Sequence, residues 1–174
     1  ATTYNNGWPT INDVSGTDTL FDTGHPTISG GAGSSQGNRP TTDTDLNVTA
    51  FRAALTQFRK YTNDQGLRIP AYTTPSRLIV PPDIEYDARE ILQSTYRPDT
   101  ANRVENVTKG AVSLLVDPYL TDTDAWFLQA PKHEYHFLWR WRPRFDAFDD
   151  RRARVAVFVG YERFSNYPIP WLGL

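Results

Sequence analysis

Apolar residues recur along this chain first at helical spacing and later with a period of two. Val48, Phe51, Ala54, Leu55 and Phe58, followed by Tyr61 or Thr62, lie three and four apart, which predicts a one-sided helix. Asn47 stands before it as N-cap behind the apolar Leu46, and Gly66 stands where a C′ glycine would close it. Arg52, Gln57, Arg59 and Lys60 make its solvated face. The block LIVPPDIEYDAREILQS predicts a strand, a turn and a second helix. Leu78 to Val80 form the strand, Pro81 and Pro82 stop it, and a helix beginning at Pro82 or Asp83 buries Ile84, Ala88, Ile91 and Leu92. Its acids Asp83, Glu85, Asp87 and Glu90 fall mostly in the first two turns, where the positive helix end suits them.

After a polar loop (97–110), apolar runs at 111–116 and 125–129 predict two more strands. From Glu134 to Arg142 the period becomes two. Tyr135, Phe137, Trp139 and Trp141 fall on one face, and Glu134, His136, Leu138, Arg140 and Arg142 on the other. Residues 146–152 (DAFDDRR) predict a charged hairpin tip. From Ala153 to Arg163 the alternation resumes, with Ala153, Val155, Val157, Val159 and Tyr161 opposite Arg154, Ala156, Phe158, Gly160 and Glu162. Two such strands around a polar turn make an antiparallel ribbon, and the fold class is α+β. The first 46 residues are polar, and the glycine-rich stretch 29–45 predicts a long surface connection. No strand leads into that stretch and no Gly-Lys-Ser/Thr follows, so it is not a phosphate-binding loop.

Composition narrows the function classes. A length of 174 residues suggests one domain, or one with a small extension, and a net charge of −2 gives no global attraction to nucleic acid or anionic lipid. Fifteen of the 18 basic residues are Arg, which favours ordered, bidentate carboxylate contacts over a loose cationic coat. The absence of Cys excludes a thiolate metal site. No apolar run is long enough to span a bilayer, so a soluble protein without a membrane partner is expected. A start at Ala1 without Met reads as processing or as a fragment of a longer subunit.

Candidate chemistry is sparse. His133 and His136 would point to opposite faces of a strand, a poor metal clamp. Asp22-Thr23-Gly24 before His25 invites comparison with aspartic proteases, but a turn accounts for it more simply. Asp122 and Asp124 lack the rest of a calcium loop. A hydrolase using Asp22 or His25 has no activated nucleophile or acid–base pair behind it. No catalytic, metal or cofactor residue is therefore assigned. The stretch LWRWRPRF (138–145) is denser in signal. An alternative function is a nucleic-acid-binding β module in which its tryptophans stack bases and its arginines hold phosphates. The period of two argues instead that Trp139 and Trp141 continue an aromatic core or neighbour-facing surface, with the arginines opposite. Arg140, Arg142, Arg144, Asp146, Asp149, Asp150, Arg151, Arg152 and Arg154 are then candidates for contacts between subunits.

Four blocks in order carry a resemblance: LFDTGHP, the helix ending in DQG, LIVPPDIEYDAREILQS, and VDPYLTDTDAWFL. Over residues 19–131 they resemble the Mu-type major head subunit of tailed phages, and residues 132–174 match more loosely. The resemblance implies a major capsid protein of the Hong Kong 97-type fold that forms hexamers and pentamers of an icosahedral shell. It implies an N-terminal extended segment over 1–18, a mainly axial domain over 19–131, and peripheral-domain strands with the C-terminus over 132–174. The family's upstream arm, extended loop and spine helix would precede Ala1. The implied partners are further copies, scaffold, portal and decoration proteins, and packaged double-stranded DNA held without sequence-specific binding. The implied location is the virion, with assembly in the host cytoplasm.

Overall fold

The computed structural model describes residues 19–26, 35–62, 67–100, 103–133, 135–150 and 152–168. The segment 1–18, residues 29–34 of the glycine-rich connection, Gly66, Glu134, Arg151 and residues 169–174 lie outside the described residues. The described residues divide into two units, one up to His133 and one from Tyr135 onward. Both helices and sheets are present, so the α+β reading holds.

The first unit begins with Leu20 and Phe21, both buried, and Phe21 meets Phe127 at a ring separation of 5.3 Å. Strand β1 (His25–Pro26) pairs antiparallel with β2 (Ser35–Gln36), so part of the glycine-rich connection is a strand and not a loop. Beside that pairing, a Cβ on Gly37 would lie 2.3 Å from the Thr23 carbonyl oxygen. Gly37→Ala is therefore expected to cost about 2 kcal/mol through a forced backbone shift. Equilibrium urea denaturation of the two proteins measures it.

Helix α1 (Val48–Lys60) starts where its sequence signals place it, with Asn47 Oδ1 accepting the Ala50 N–H at 2.8 Å. Val48, Phe51 and Phe58 are its buried stripe, each contributing roughly 1.5–3 kcal/mol of apolar burial. The helix ends earlier than the periodicity predicts. Tyr61 leaves helical geometry (φ −57°, ψ 141°), yet its ring stays in the core 5.5 Å from that of Phe58. Gln36 holds this end: its Oε1 accepts the Thr62 N–H at 2.8 Å and its Nε2 donates to Thr62 Oγ1 at 2.6 Å. Burial pushes the Tyr61 phenol up to about 12 from an ordinary 10.0. In the unfolded chain Tyr61 ionises first, so stability is fully present below pH 10.0 and is lost as the pH rises toward about 12. Denaturation at about pH 8 and about pH 11 should show a smaller alkaline loss in Tyr61→Phe, by about 1–2 kcal/mol.

A short helix α2 (Pro70–Thr73) leads to β3 (Arg77–Val80). A 3₁₀ turn over Pro82–Ile84 then runs into α3 (Glu85–Gln93), whose Ala88, Ile91 and Leu92 are buried as the period requires. After α3 the chain returns through β4 (Ser113–Val116), parallel to β3, and β5 (Phe127–Gln129) pairs antiparallel on the other side of β3. The central strand is the most buried, with Leu78, Ile79 and Val80 all hidden. Helices α1 and α3 contribute buried side chains to the core cluster that includes Leu78, Val80, Val112 and Leu128.

The loop 97–110 is less polar in effect than in composition. Asn106 is 3 % exposed and its side chain makes four hydrogen bonds. Its Nδ2 donates to Ile91 O at 2.8 Å and Ser94 O at 3.2 Å, which are carbonyls at the C-terminal end of α3. Its Oδ1 accepts from the Thr108 N–H at 3.1 Å and the Thr108 hydroxyl at 2.7 Å.

Candidate functional site

The second unit is a single long ribbon, β6 (Tyr135–Asp150) against β7 (Val155–Pro168). Its described turn residues are 152–154, later than the expected 146–152, because the strands pair through Asp146 with Val159 and on to Asp150 with Val155. Arg154 closes the turn in the left-handed region at φ 52°. The acids of the expected tip are thus strand residues, and register puts Asp146 and Asp149 on opposite faces.

The register also corrects the face assignment of the tryptophans. Trp139 pairs with Phe164, but Trp141 pairs with Arg163 and Arg144 with Tyr161. Each step puts one more residue on β6 than on β7, so two bulges bracket Trp141. The first moves Trp141 to the face opposite Trp139, and the second restores the alternation. Ring contacts agree. Phe137, Trp139 and Phe164 cluster at 5.0–5.6 Å, while Trp141 meets Tyr161 at 6.1 Å. The second bulge was legible: Pro143 cannot donate to a ladder, so a proline inside a period-two strand marks an edge or a bulge. Nothing in the sequence signals the first.

Among the described residues neither tryptophan of this ribbon is buried. Trp139 and Trp141 remain 42 % and 54 % exposed. One face carries Phe137, Trp139, Phe145, Phe158 and Phe164, and the other Trp141, Phe148, Val155, Val159 and Tyr161, all exposed. Phe145 lies across Gly160, its ring atoms 3.0 and 3.2 Å from where a Cβ would stand, and is still 86 % exposed. A lone two-stranded ribbon is at best marginally stable in water. Exposed apolar patches of this extent mark contact with another molecule.

The bulges gather charge. Leu138, Trp139, Arg140, Trp141, Arg142 and Arg144 line one open groove. None of the three arginine side chains has a hydrogen bond or ion pair among the described residues. Asp149, Arg152 and Arg154 are exposed as well, while Arg151 and the side chain of Asp150 lie outside the described residues.

The other chemical candidates fall into structural roles. Asp22 accepts the Gly24 N–H at 3.1 Å. Burial works to raise its pKa, but backbone N–H groups of Gly24 and Thr23 outweigh it and hold the carboxyl below its ordinary value. That is the reverse of a proton-sharing protease acid. His25 is fully buried, with Nε2 3.1 Å from Asn38 Oδ1. Asn38 also accepts the Asp22 N–H and donates to Leu20 O, stitching this turn to the core. His133 lies before β6, and no group of acids and histidines able to hold a metal occurs among the described residues.

A family model described as phage capsid protein matches residues 7–164 of the 174. The chain belongs to that family. No curated protein and no solved structure matches it. This capsid protein therefore has a structural role in the phage particle, and the ribbon is where its exposed apolar and cationic surface concentrates.

Proposed function

We propose that this capsid protein is part of the major head subunit of a tailed phage, of the Mu type and with the Hong Kong 97-type fold. It assembles with further copies into hexamers and pentamers of an icosahedral shell around double-stranded DNA, in the host cytoplasm, where scaffold, portal and decoration proteins are its other partners. Residues 19–131 serve mainly as the axial domain and 132–174 as peripheral strands, a division in keeping with the change of unit at Tyr135. The observation that carries this reading is a ribbon with aromatic rings exposed on both faces, in a chain of the capsid family. Such a ribbon gains its stability from neighbouring copies. Contacts between copies need charged, geometrically specific surfaces and no catalytic group, and Arg140, Arg142, Arg144, Asp146, Asp149, Asp150, Arg151, Arg152 and Arg154 supply them.

Expression of the intact subunit should give closed particles of high mass by light scattering and electron microscopy. A subunit that stays monomeric under every assembly condition overturns the reading. The groove of three arginines and two tryptophans favours one alternative, a single-strand-binding module. That reading requires salt-dependent oligonucleotide binding that disappears in Trp139→Ala combined with Arg140→Ala.

A further inference from the structure

The arginine groove carries positive charge that no carboxylate among the described residues balances. Arg140, Arg142 and Arg144 all line it together with Trp139 and Trp141, and none has a carboxylate partner among the described residues. Guanidinium groups so placed fit planar carboxylates, with which they form paired hydrogen bonds.

The first unit carries the opposite imbalance. Trp126 Nε1 donates to Thr44 O at 2.9 Å, which ties the segment bearing Asp45 to the one bearing Asp124. Asp45, Asp122 and Asp124 are all exposed, and no cation pairs with them among the described residues. A hydrogen bond to the Asp122 carboxylate, and the negative charge of that group, hold the Asp124 carboxyl above its ordinary value, with Asp45 adding to the effect. Three other acids of this unit do have an arginine partner. Asp43 pairs with Arg39, Glu85 with Arg89, and Asp99 with Arg97.

We propose that the Arg140/Arg142/Arg144 groove of one subunit receives the Asp45/Asp122/Asp124 corner of a second copy. The three arginines and the three carboxylates, none paired among the described residues, are opposite in sign and equal in number, and a shell of identical chains sets the edges of one copy against those of another. The bulges then have a purpose: they leave Arg140 and Arg142 without a ladder partner, beside the open groove that an acidic corner can enter. Pro143 and the bulges also spoil that stretch of β6 as an edge for strand pairing, leaving side-chain recognition as its means of contact. This inference rests on the shell reading above.

The test is a charge exchange in the intact subunit. Arg140→Asp with Arg142→Asp, and separately Asp122→Arg with Asp124→Arg, should each lower the yield of particles at least about tenfold at fixed protein concentration. The four substitutions together should recover most of it. All these side chains are exposed, so thermal melts of the unassembled variants should stay near wild type. The chain has no Cys, so mixing Arg142→Cys subunits with Asp124→Cys subunits gives a second readout. A disulfide between the two kinds of chain can only join different copies.

If wild type assembles but either charge reversal assembles equally well, or the combined variant shows no recovery, the groove has another occupant and the inference fails. Single-stranded DNA binding that is lost in the arginine variant, with assembly unaffected by the aspartate variant, would give the groove to nucleic acid. Failure of wild type to assemble removes the shell reading and this inference with it.

Discussion

Asn106→Ala is expected to destabilise the first unit by about 3 kcal/mol, at the upper end for a single buried polar side chain. The reason lies in what the amide satisfies. Its Nδ2 occupies the carbonyls of Ile91 and Ser94, and a helix leaves its last carbonyls without partners unless something reaches them. Its Oδ1 meanwhile serves the backbone and hydroxyl of Thr108. Truncation leaves several of these groups in a site 3 % exposed, too tight to admit water freely. Asn106→Asp should also be costly, because a carboxylate cannot donate to the two carbonyls and would be buried without a cation. Urea denaturation followed by circular dichroism reads both. A loss under about 1 kcal/mol for Asn106→Ala would show that the α3 C-terminus is held by other means. The neighbouring Gly110 N–H bond to Leu92 O at 2.9 Å is the one to examine next.

The second large effect should appear in assembly rather than in folding. Phe145→Ser with Phe158→Ser removes two rings that are 86 % and 80 % exposed, so the unassembled subunit should melt within a few degrees of wild type. A ring of this size buries roughly 150–250 Å² when covered. Losing two from each contact should raise the concentration needed for particles by about 100-fold or more. Trp141→Ser with Phe148→Ser tests the other face, because the register places Trp141 there. If both pairs impair assembly, the ribbon is covered on both faces. If the first pair impairs it and the second does not, one face remains open in the particle. Normal assembly of both variants would mean that the exposed rings are not contact surfaces. Sedimentation velocity over a concentration series distinguishes these outcomes.

How far the sequence could be read depended on how local each cause is. The start of α1 was legible because Asn47 caps a group three residues away. Its end was not, because Gln36, 26 residues earlier, secures Thr62. The buried face of α3 followed from spacing alone, whereas the loop that caps it looked merely polar. In the ribbon the antiparallel pairing and the phase of β7 were right, and the phase of β6 was right up to Trp139. There a bulge with no composition signal reversed Trp141, while Pro143 had announced its companion. Arg140, Arg142 and Arg144 could be named as contact candidates from their density, but that they line one groove is seen only in the structure.

By itself the sequence determined the α+β class, both amphipathic helices, the ribbon, the lack of thiolate chemistry and, through four ordered blocks, the likeness to phage head proteins. These rest on periodicity, capping and residue type, which act over a few neighbouring positions. Only the tertiary structure decided which faces the tryptophans occupy, where the turn closes, that β3 and β4 run parallel, and that the aromatic strip is left uncovered. Those outcomes depend on how distant backbone segments register against one another. A single inserted residue in a strand carries every following side chain to the opposite face.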